Sequence, residues 1–451
     1  MVLLNYIGQK ILEHFEILVT RRLEPTTHKV CPVDRLLASS LPYSYLDDEL
    51  SDLEIQQMIN RLLNDLITAC KYLLLCRGSL ANCKRLAIAA GVFITLSACD
   101  QLQPTDASNA FIHSAPTRAL SKSGVNENIT EIMLQGIIER QAEGGAAVLV
   151  EINTGQIMSL VSIVSRNAPD WEKPRYNRAV HPVHELGSVF KTFTIAQALD
   201  MELITPDTII ATPRSLSISH YKIRDFDTLK ENSTVQEVFL RSSNVGTAQI
   251  SQMIGSEAQQ SFFGELGLLS PHPLEERYPT QIKQRRPSNW SSVVTATLSF
   301  GHGVTASPLQ IAGAYSSLIN GGLNVQLSTA PLPQFRRRVV NTGTSETVRN
   351  LLQANVQVGA MSLAAVNDLD VGAYGGTAEM LAASGGYDES RLVSTVAAVF
   401  PIESPKYVLV VMLENPVVRV DGDDLRTASW TVAPLAAQII EHVRPELIDQ
   451  P

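Results

Sequence analysis

Cysteine disappears early in this 451-residue chain: Cys31, Cys70, Cys76, Cys83 and Cys99 are all five, and none follows. A cysteine-free stretch of that length suits an exported domain, and it sets the first hundred residues apart in compartment or in history. Positive charge is also short. The net charge is −9 and the pI about 5.6, which argues against a nucleic-acid partner, since that would want a basic face. Scattered histidines and the lack of paired cysteine spacing leave no metal site, and no cofactor is expected. A disorder signature is missing too. Hydrophobic residues at 45% and charged residues at 18% are values of a folded chain, long enough for more than one domain.

A long hydrophobic run is the next absence. Leu86 to Cys99 (LAIAAGVFITLSAC) is uncharged, preceded by Lys84 and Arg85 and closed by Asp100. A spanning helix needs about 20 such residues, so this run fits better the apolar core of an export signal. Residues 84–99 are expected to act as a membrane anchor or export signal, with a short buried helix as the remaining reading. The end of the run, Leu96-Ser97-Ala98-Cys99, resembles a lipoprotein signal box, in which Cys99 would carry the lipid. An export signal ordinarily opens a protein. Either the true start lies near residue 80, or residues 1–83 form a cytoplasmic extension.

That extension is patterned. Ser51-Asp52-Leu53-Glu54 reads as a capping box, and Ile55, Met58, Ile59, Leu62, Leu63, Leu66 and Ile67 follow at helical spacing. An amphipathic helix packing on a partner is expected, so residues 1–83 are assigned as a helical N-terminal segment. Residues 100–125 are polar and read as a linker. From residue 126 to 451 the pattern is that of one α+β domain. A helix is predicted over 129–141. A hairpin of 146–152 and 156–162 turns on Asn153-Thr154-Gly155. Helices are predicted near 188–201, 235–254, 257–266, 307–320 and 346–358, strands at 393–400 and 407–415, and a closing helix at 430–443. Strands at both ends with helices between imply a sheet that joins the two ends of the domain. No internal repeat is present.

Chemistry concentrates at Ser188-Val189-Phe190-Lys191, directly after Gly187. Three residues is just under one helical turn, so the serine hydroxyl and lysine amine share a face. At a helix start the Ser188 N–H is unpaired and can donate to an oxyanion. The positive end of the helix disfavours a second positive charge, which nudges Lys191 toward the neutral form that a general base requires. S-x-x-K alone is weak evidence, because Ser219-His220-Tyr221-Lys222 repeats it. That copy lies in an alternating stretch, SLSISHYKIRD, where positions three apart point to opposite faces. A third element, Ser242-Ser243-Asn244, can aim a proton relay and an amide ligand into one cleft.

These elements, in this order, resemble the class B penicillin-binding proteins. The resemblance extends over NRAV (177–180), ELGSVFKTFTIAQALD (185–200), IRDF (223–226), RSSNVGTAQI (241–250) and SFGHGVTASPLQIAGAY (299–315). AAVFPIESPKYVLVVMLENP (397–416) looks most like the α-proteobacterial cell-division member. It covers about 300 residues and implies a transpeptidase or serine β-lactamase-like fold, an antiparallel sheet flanked by helices. It implies Ser188 as acylated nucleophile, Lys191 as base, Ser242 as proton relay and Asn244 as ligand of the substrate amide. The oxyanion hole would be the N–H groups of Ser188 and Thr377, beside Gly376. Peptidoglycan stem peptides and β-lactams would be the ligands, with membrane tethering and division-machinery proteins as partners.

The chain departs from that pattern at one motif. Where the family has Lys-Thr-Gly-Thr-Ala, this chain reads Tyr374-Gly375-Gly376-Thr377-Ala378, and no lysine lies between Lys283 and Lys406. The resemblance makes the missing side chains a clamp for the substrate's terminal carboxylate, and by position it puts Tyr374, Gly376 and Thr377 among the substrate-binding residues. Arg336, Arg337, Arg338 and Arg391 are the cations that could replace it. Three functions remain: a septal D,D-transpeptidase, a non-catalytic scaffold of the division machinery, or a β-lactam hydrolase. For the last of these, no deacylating base is identifiable.

Overall fold

The computed structural model describes residues 110–112, 124–169, 171, 175–331, 337–382 and 385–449. The patterned segment 51–67 and the apolar run at 84–99 lie outside them. Among the described residues, no helix is long and apolar enough to cross a membrane.

Six strands form one sheet: β1 (Ala110–Ile112), β2 (Gly144–Glu151), β3 (Gln156–Ser165), β8 (Gly372–Leu381), β9 (Tyr387–Phe400) and β10 (Tyr407–Glu414). Their order is β1-β3-β2-β10-β9-β8, and every neighbouring pair is antiparallel. The β2–β10 pairing joins the two ends of the domain, as the sequence implied. Two differences stand out. Ala110–Ile112, within the stretch read as a linker, pairs with β3 as an edge strand. β9 begins at Tyr387, well before 393, because its polar first half still pairs with β8.

Both faces of the sheet are covered. Val148, Val150, Val408, Val410, Ala397 and Val399 face one core. Their alternates Ala147, Leu149, Leu409, Val411, Ala398 and Phe400 face another. The period of two is therefore present in the packing although the strands read as unbroken apolar runs. On the second face lie α1 (Val125–Glu139) and α10 (Ala433–Leu447), in contact with each other. The first face carries α2 (Lys191–Asp200), α3 (Val235–Leu240), α4 (Asn244–Ile254), α5 (Ser256–Glu265), α6 (Ser292–Leu298), α7 (Pro308–Ile319) and α8 (Thr342–Gln357). A short α9 (Ala428–Thr431) precedes α10.

Three two-stranded ribbons are also described: β4 (Ile209–Ala211) with β7 (Asn232–Thr234), β5 (Leu216–Ile218) with β6 (Tyr221–Ile223), and β11 (Val418–Val420) with β12 (Asp423–Leu425). The stretch holding the second S-x-x-K is thus a hairpin. Ser219 sits in its turn at φ +55°, with its hydroxyl on His220. The dismissal of that copy stands on turn geometry, not on strand alternation.

Candidate active site

Ser188 does not open an α-helix. Gly187–Phe190 is a 3₁₀ turn, and the Lys191 N–H closes it on the Ser188 carbonyl before α2 begins. Three-residue periodicity stacks positions i and i+3, so Ser188 and Lys191 stay on one side. Tyr315 of α7 supports the turn from behind, its hydroxyl donating to Val189 O at 3.1 Å and meeting Thr192 Oγ1 at 2.8 Å. Ser188 itself is half-buried.

Lys191 is buried, 1% exposed. Its Nζ donates to Ser242 Oγ at 2.9 Å and to Ser242 O. Burial pushes the amine down from its ordinary 10.5 to about 7, while the Asp225 carboxylate pulls it back up. A neutral fraction near physiological pH is what a general base needs. The helix-start argument gave the right direction, but removal of water is the larger cause.

The predicted single helix over 235–254 is broken where Ser242 stands. Thr234 and Glu237 cap α3 reciprocally. Ser242 N–H and Ser243 N–H then turn back onto Phe239 O and Val238 O, with Ser242 in the left-handed region at φ +54°. That costs a non-glycine residue about 1–3 kcal/mol and is typical of functional positions. Ser243 restarts the chain as N-cap of α4, and Asp225 holds it: Ser243 Oγ donates to Oδ2 at 2.7 Å and Val245 N–H to Oδ1 at 2.9 Å. Asn244 begins α4, and its Nδ2 donates to Arg224 O at 3.1 Å. Asp225 has no role in the sequence reading. Its signal was the IRDF stretch, one of the matching segments.

β8 lies against the nucleophile turn, backbone to backbone. A Cβ on Gly376 would stand 2.2 Å from Leu186 O and 2.8 Å from Ser188 N, and one on Gly187 would stand 3.3 Å from Thr377 N. The Ser188 and Thr377 peptides are thus neighbours, as the expected oxyanion hole requires. Gly187, at φ +62°, and Gly301, at φ +80°, make the same approach on the other side: a Cβ on Gly301 would be 2.2 Å from Gly187 O. Thr377 turns its hydroxyl away to accept from Ala428 N–H at 2.9 Å.

Tyr374 is 1% exposed. Its hydroxyl donates to Phe239 O at 2.9 Å, its ring lies 4.4 Å from that of Phe239, and burial raises its pKa while the Ser242 hydroxyl acts the other way. Its side chain therefore buttresses the turn that carries Ser242, and the expectation that it contacts substrate directly is corrected. The arginines proposed as substitutes are engaged elsewhere. Arg391 pairs with Glu143, Arg337 with Glu265 at 3.3 Å, and Arg338 donates to the carbonyls of Gly321 and Val340. Arg336 lies outside the described residues.

A second polar group, unnoticed in the sequence, flanks Gly301. Buried Glu185 meets His302 Nδ1 at 3.3 Å and accepts from Tyr387 OH at 2.9 Å, and His302 stacks on Tyr387 with centroids 4.9 Å apart. Burial raises the Glu185 carboxyl, with His302 opposing.

A half-buried serine, a partly neutral lysine bridged to a second serine, and paired backbone donors are the parts of serine acyl transfer. Residues 145–441, about two thirds of the chain, match the penicillin binding protein transpeptidase domain family. The chain belongs to that family, as a class B, division-type member. It is 31% identical over 321 residues to a probable peptidoglycan D,D-transpeptidase FtsI of Caulobacter vibrioides, covering 68% of this chain and 54% of that one. It is 31% identical over 300 residues to a probable peptidoglycan D,D-transpeptidase PenA of Neisseria flavescens, covering 62% of this chain and 72% of that one. The chain thus spans only about half the length of the Caulobacter relative. Its structure superposes on the apo transpeptidase domain of Burkholderia pseudomallei penicillin-binding protein 3 with TM-score 0.63 and 25% identity, covering 75% of this chain and 99% of that domain. It also superposes on Mycobacterium tuberculosis penicillin-binding protein 3 complexed with aztreonam, with TM-score 0.62 and 25% identity, covering 71% of this chain and 77% of that one.

Proposed function

We propose that this chain is a membrane-tethered, periplasm-facing D,D-transpeptidase that cross-links peptidoglycan stem peptides in septal wall synthesis. The observation that carries the reading is the buried Lys191, bonded to Ser242 and three residues from Ser188 on a 3₁₀ turn. Relatives named as peptidoglycan D,D-transpeptidases, and a structural neighbour complexed with aztreonam, support it.

Ser188 Oγ passes its proton to neutral Lys191 and bonds the donor's carbonyl carbon. The oxyanion sits between the Ser188 and Thr377 N–H groups. The C–N bond to the leaving D-alanine breaks as the proton returns through Ser242 to the departing nitrogen. The amine of a neighbouring peptide then attacks the ester and forms the new C–N bond, the C–O bond breaks, and the amine's proton passes by way of Ser242 and Lys191 to Ser188 Oγ, which regenerates the serine. Asn244 is assigned to the substrate amide, which would displace Arg224 O from its Nδ2.

One observation favours the scaffold reading: Tyr374 is buried and Met361 fills the space beside Gly375, so among the described residues no side chain takes the place of the Lys-Thr pair there. Purified protein supplied with pentapeptide-bearing glycan strands separates the two. Release of D-alanine together with cross-linked dimers supports transpeptidation. Their absence from correctly folded protein, while division partners are still retained, supports the scaffold.

A further inference from the structure

The nucleophile turn is confined from two sides. On one side is β8: a Cβ on Gly187 would stand 2.9 Å from Thr377 O, and one on Gly376 would stand 2.8 Å from Ser188 N. On the other is the loop after α6, where Gly301 approaches so closely that a Cβ on it would stand 2.2 Å from Gly187 O. Such a contact limits how near Gly301 and Gly187 can come but does not draw them together. The attraction comes from the residues around it. Ala306 N–H donates to His184 O at 3.0 Å. Beside that bond the Glu185 carboxylate reaches into the loop, where Oε2 meets His302 Nδ1 at 3.3 Å and the Gly303 N–H also donates to the carboxylate. Tyr387, at the start of β9, donates its hydroxyl to Oε1 at 2.9 Å and stacks on the His302 ring. Because β9 pairs with β8, this one carboxylate ties the nucleophile segment, the 299–306 loop and the sheet to each other. Glu185 is 2% exposed, and an acid kept there pays a desolvation cost that an apolar side chain avoids. Burial accordingly raises its carboxyl, with His302 and then Tyr387 opposing. What the carboxylate provides is an acceptor without donors of its own, serving three donors from two other segments.

We propose that Glu185, through its pair with His302, is a positioning residue for the oxyanion hole: it draws Gly301 onto Gly187 and so keeps the Ser188 N–H set against the Thr377 N–H. This rests on the acyl-transfer reading above and adds to it a buried group that acts through the turn. Paired donors stabilise a developing oxyanion only while they stay fixed where the charge appears. With the pair broken, the loop no longer presses the turn against β8, and the two donors lose their common aim while Ser188, Lys191 and Ser242 keep their own contacts.

Exchanging one oxygen for sulfur reads the hole directly in the full-length protein. N-benzoyl-D-alanyl thioglycolate and its dithioester, in which the reacting C=O is C=S, share every other group and the same leaving thiol. In both, Ser188 Oγ bonds the reacting carbon, the single C–S bond breaks, and the proton held by Lys191 leaves with the thiol. Sulfur is larger and a weaker acceptor, so a well-formed hole favours oxygen. Thiol release gives each second-order rate, divided by that compound's rate with hydroxylamine, and intact mass with peptide mapping places the acyl group. In the unmodified protein the oxygen compound should lead by about tenfold or more. Glu185→Gln keeps the size but turns one acceptor into a donor that faces donors, and His302→Gln removes the other half of the pair. Each should lose most of that lead, and the double variant should lose no more than the worse single, as two ends of one contact do. Ile439→Val, in the core on the other face of the sheet, lowers stability away from the turn and should keep the lead. A lead retained in either folded variant of the pair overturns the inference, and so does an equal loss in Ile439→Val or losses that add in the double variant. His302→Gln, at a half-buried position, carries the test alone if Glu185→Gln fails to fold. No lead in the unmodified protein, with Ser188 still acylated, overturns the inference and leaves acyl transfer intact. Acylation of Ser188 by neither compound overturns the acyl-transfer reading and this inference with it.

Discussion

Lys191 concentrates the chemistry of the site in one proton. In water a lysine amine is almost wholly charged at pH 7, and a charged amine cannot take the serine proton. Burial removes the water that stabilises the ammonium and brings the pKa to about 7, and Asp225 limits the fall. Acylation of Ser188 by a β-lactam should therefore rise with pH through a limb near 7 and level off above it. Asp225→Asn removes the charge that favours the ammonium, so the limb should move to lower pH. A rate profile read with and without that change checks both signs, and a limb near 10 would contradict the account. Stability has its own sign. Between about 7 and the ordinary lysine value the unfolded chain binds more protons than the folded one, so this group makes the fold more stable as pH rises across that window. The pairing of Ser188 with Lys191 was legible because it needs only local spacing. The filling of the space by Met361 was not, because 361 and 375 meet only through the tertiary fold.

At the scale of elements, the site depends on one strand lying flat against one turn. β8 and the Gly187–Phe190 turn touch through backbone atoms, which is why Gly187 and Gly376 have no room for a side chain, and Gly301 is held as tightly against the Gly187 carbonyl. Gly376→Ala forces its methyl to within 2.2 Å of Leu186 O, and backbone cannot step aside as a side chain can. The expected cost is about 1–3 kcal/mol of stability, measured by chemical denaturation. A much larger loss of acylation rate should accompany it, because the Ser188 and Thr377 donors separate. Ala378→Gly, two positions along, should show neither. The sequence showed these glycines as motif members but not what they touch. It also ran α3 and α4 together, because helical periodicity continues across Arg241–Ser243. The break comes from Ser242 in the left-handed region and from the Asp225 cap on Ser243. Spacing alone registers neither.

For the molecule as a whole, the antiparallel sheet was legible at its centre, where apolar runs are long, and not at its edges. Ala110–Ile112 and the first half of β9 are edge segments whose pairing partners, not their own composition, make them strands. Glu414 links the sheet to the long connection leading to Ser188. It ends β10 fully buried and accepts from Tyr176 OH at 2.7 Å, Arg178 Nε at 2.8 Å and His184 Nε2 at 2.8 Å. Burial would raise its carboxyl, but Arg178, with the His184 and Tyr176 contacts, outweighs it and holds the group well below the usual range. Glu414→Gln leaves Arg178 buried opposite a neutral group and should cost about 3–5 kcal/mol, seen as a lower denaturation midpoint. With Glu414 in place, its contribution is complete above the ordinary carboxylate pKa and declines as pH falls toward the depressed folded value. Acid unfolding of the unmodified protein should therefore reflect this group, and an acid limb unchanged in Glu414→Gln would contradict that role. The central claim is that all of this scaffolding serves a covalent bond to one serine. Its most direct test is intact-mass analysis of the full-length protein after prolonged exposure to a β-lactam at high concentration, in parallel with Ser188→Ala and Ser219→Ala. A mass increase of one β-lactam that maps to Ser188, persists in Ser219→Ala and vanishes in Ser188→Ala is the predicted result; an adduct that survives Ser188→Ala would contradict it.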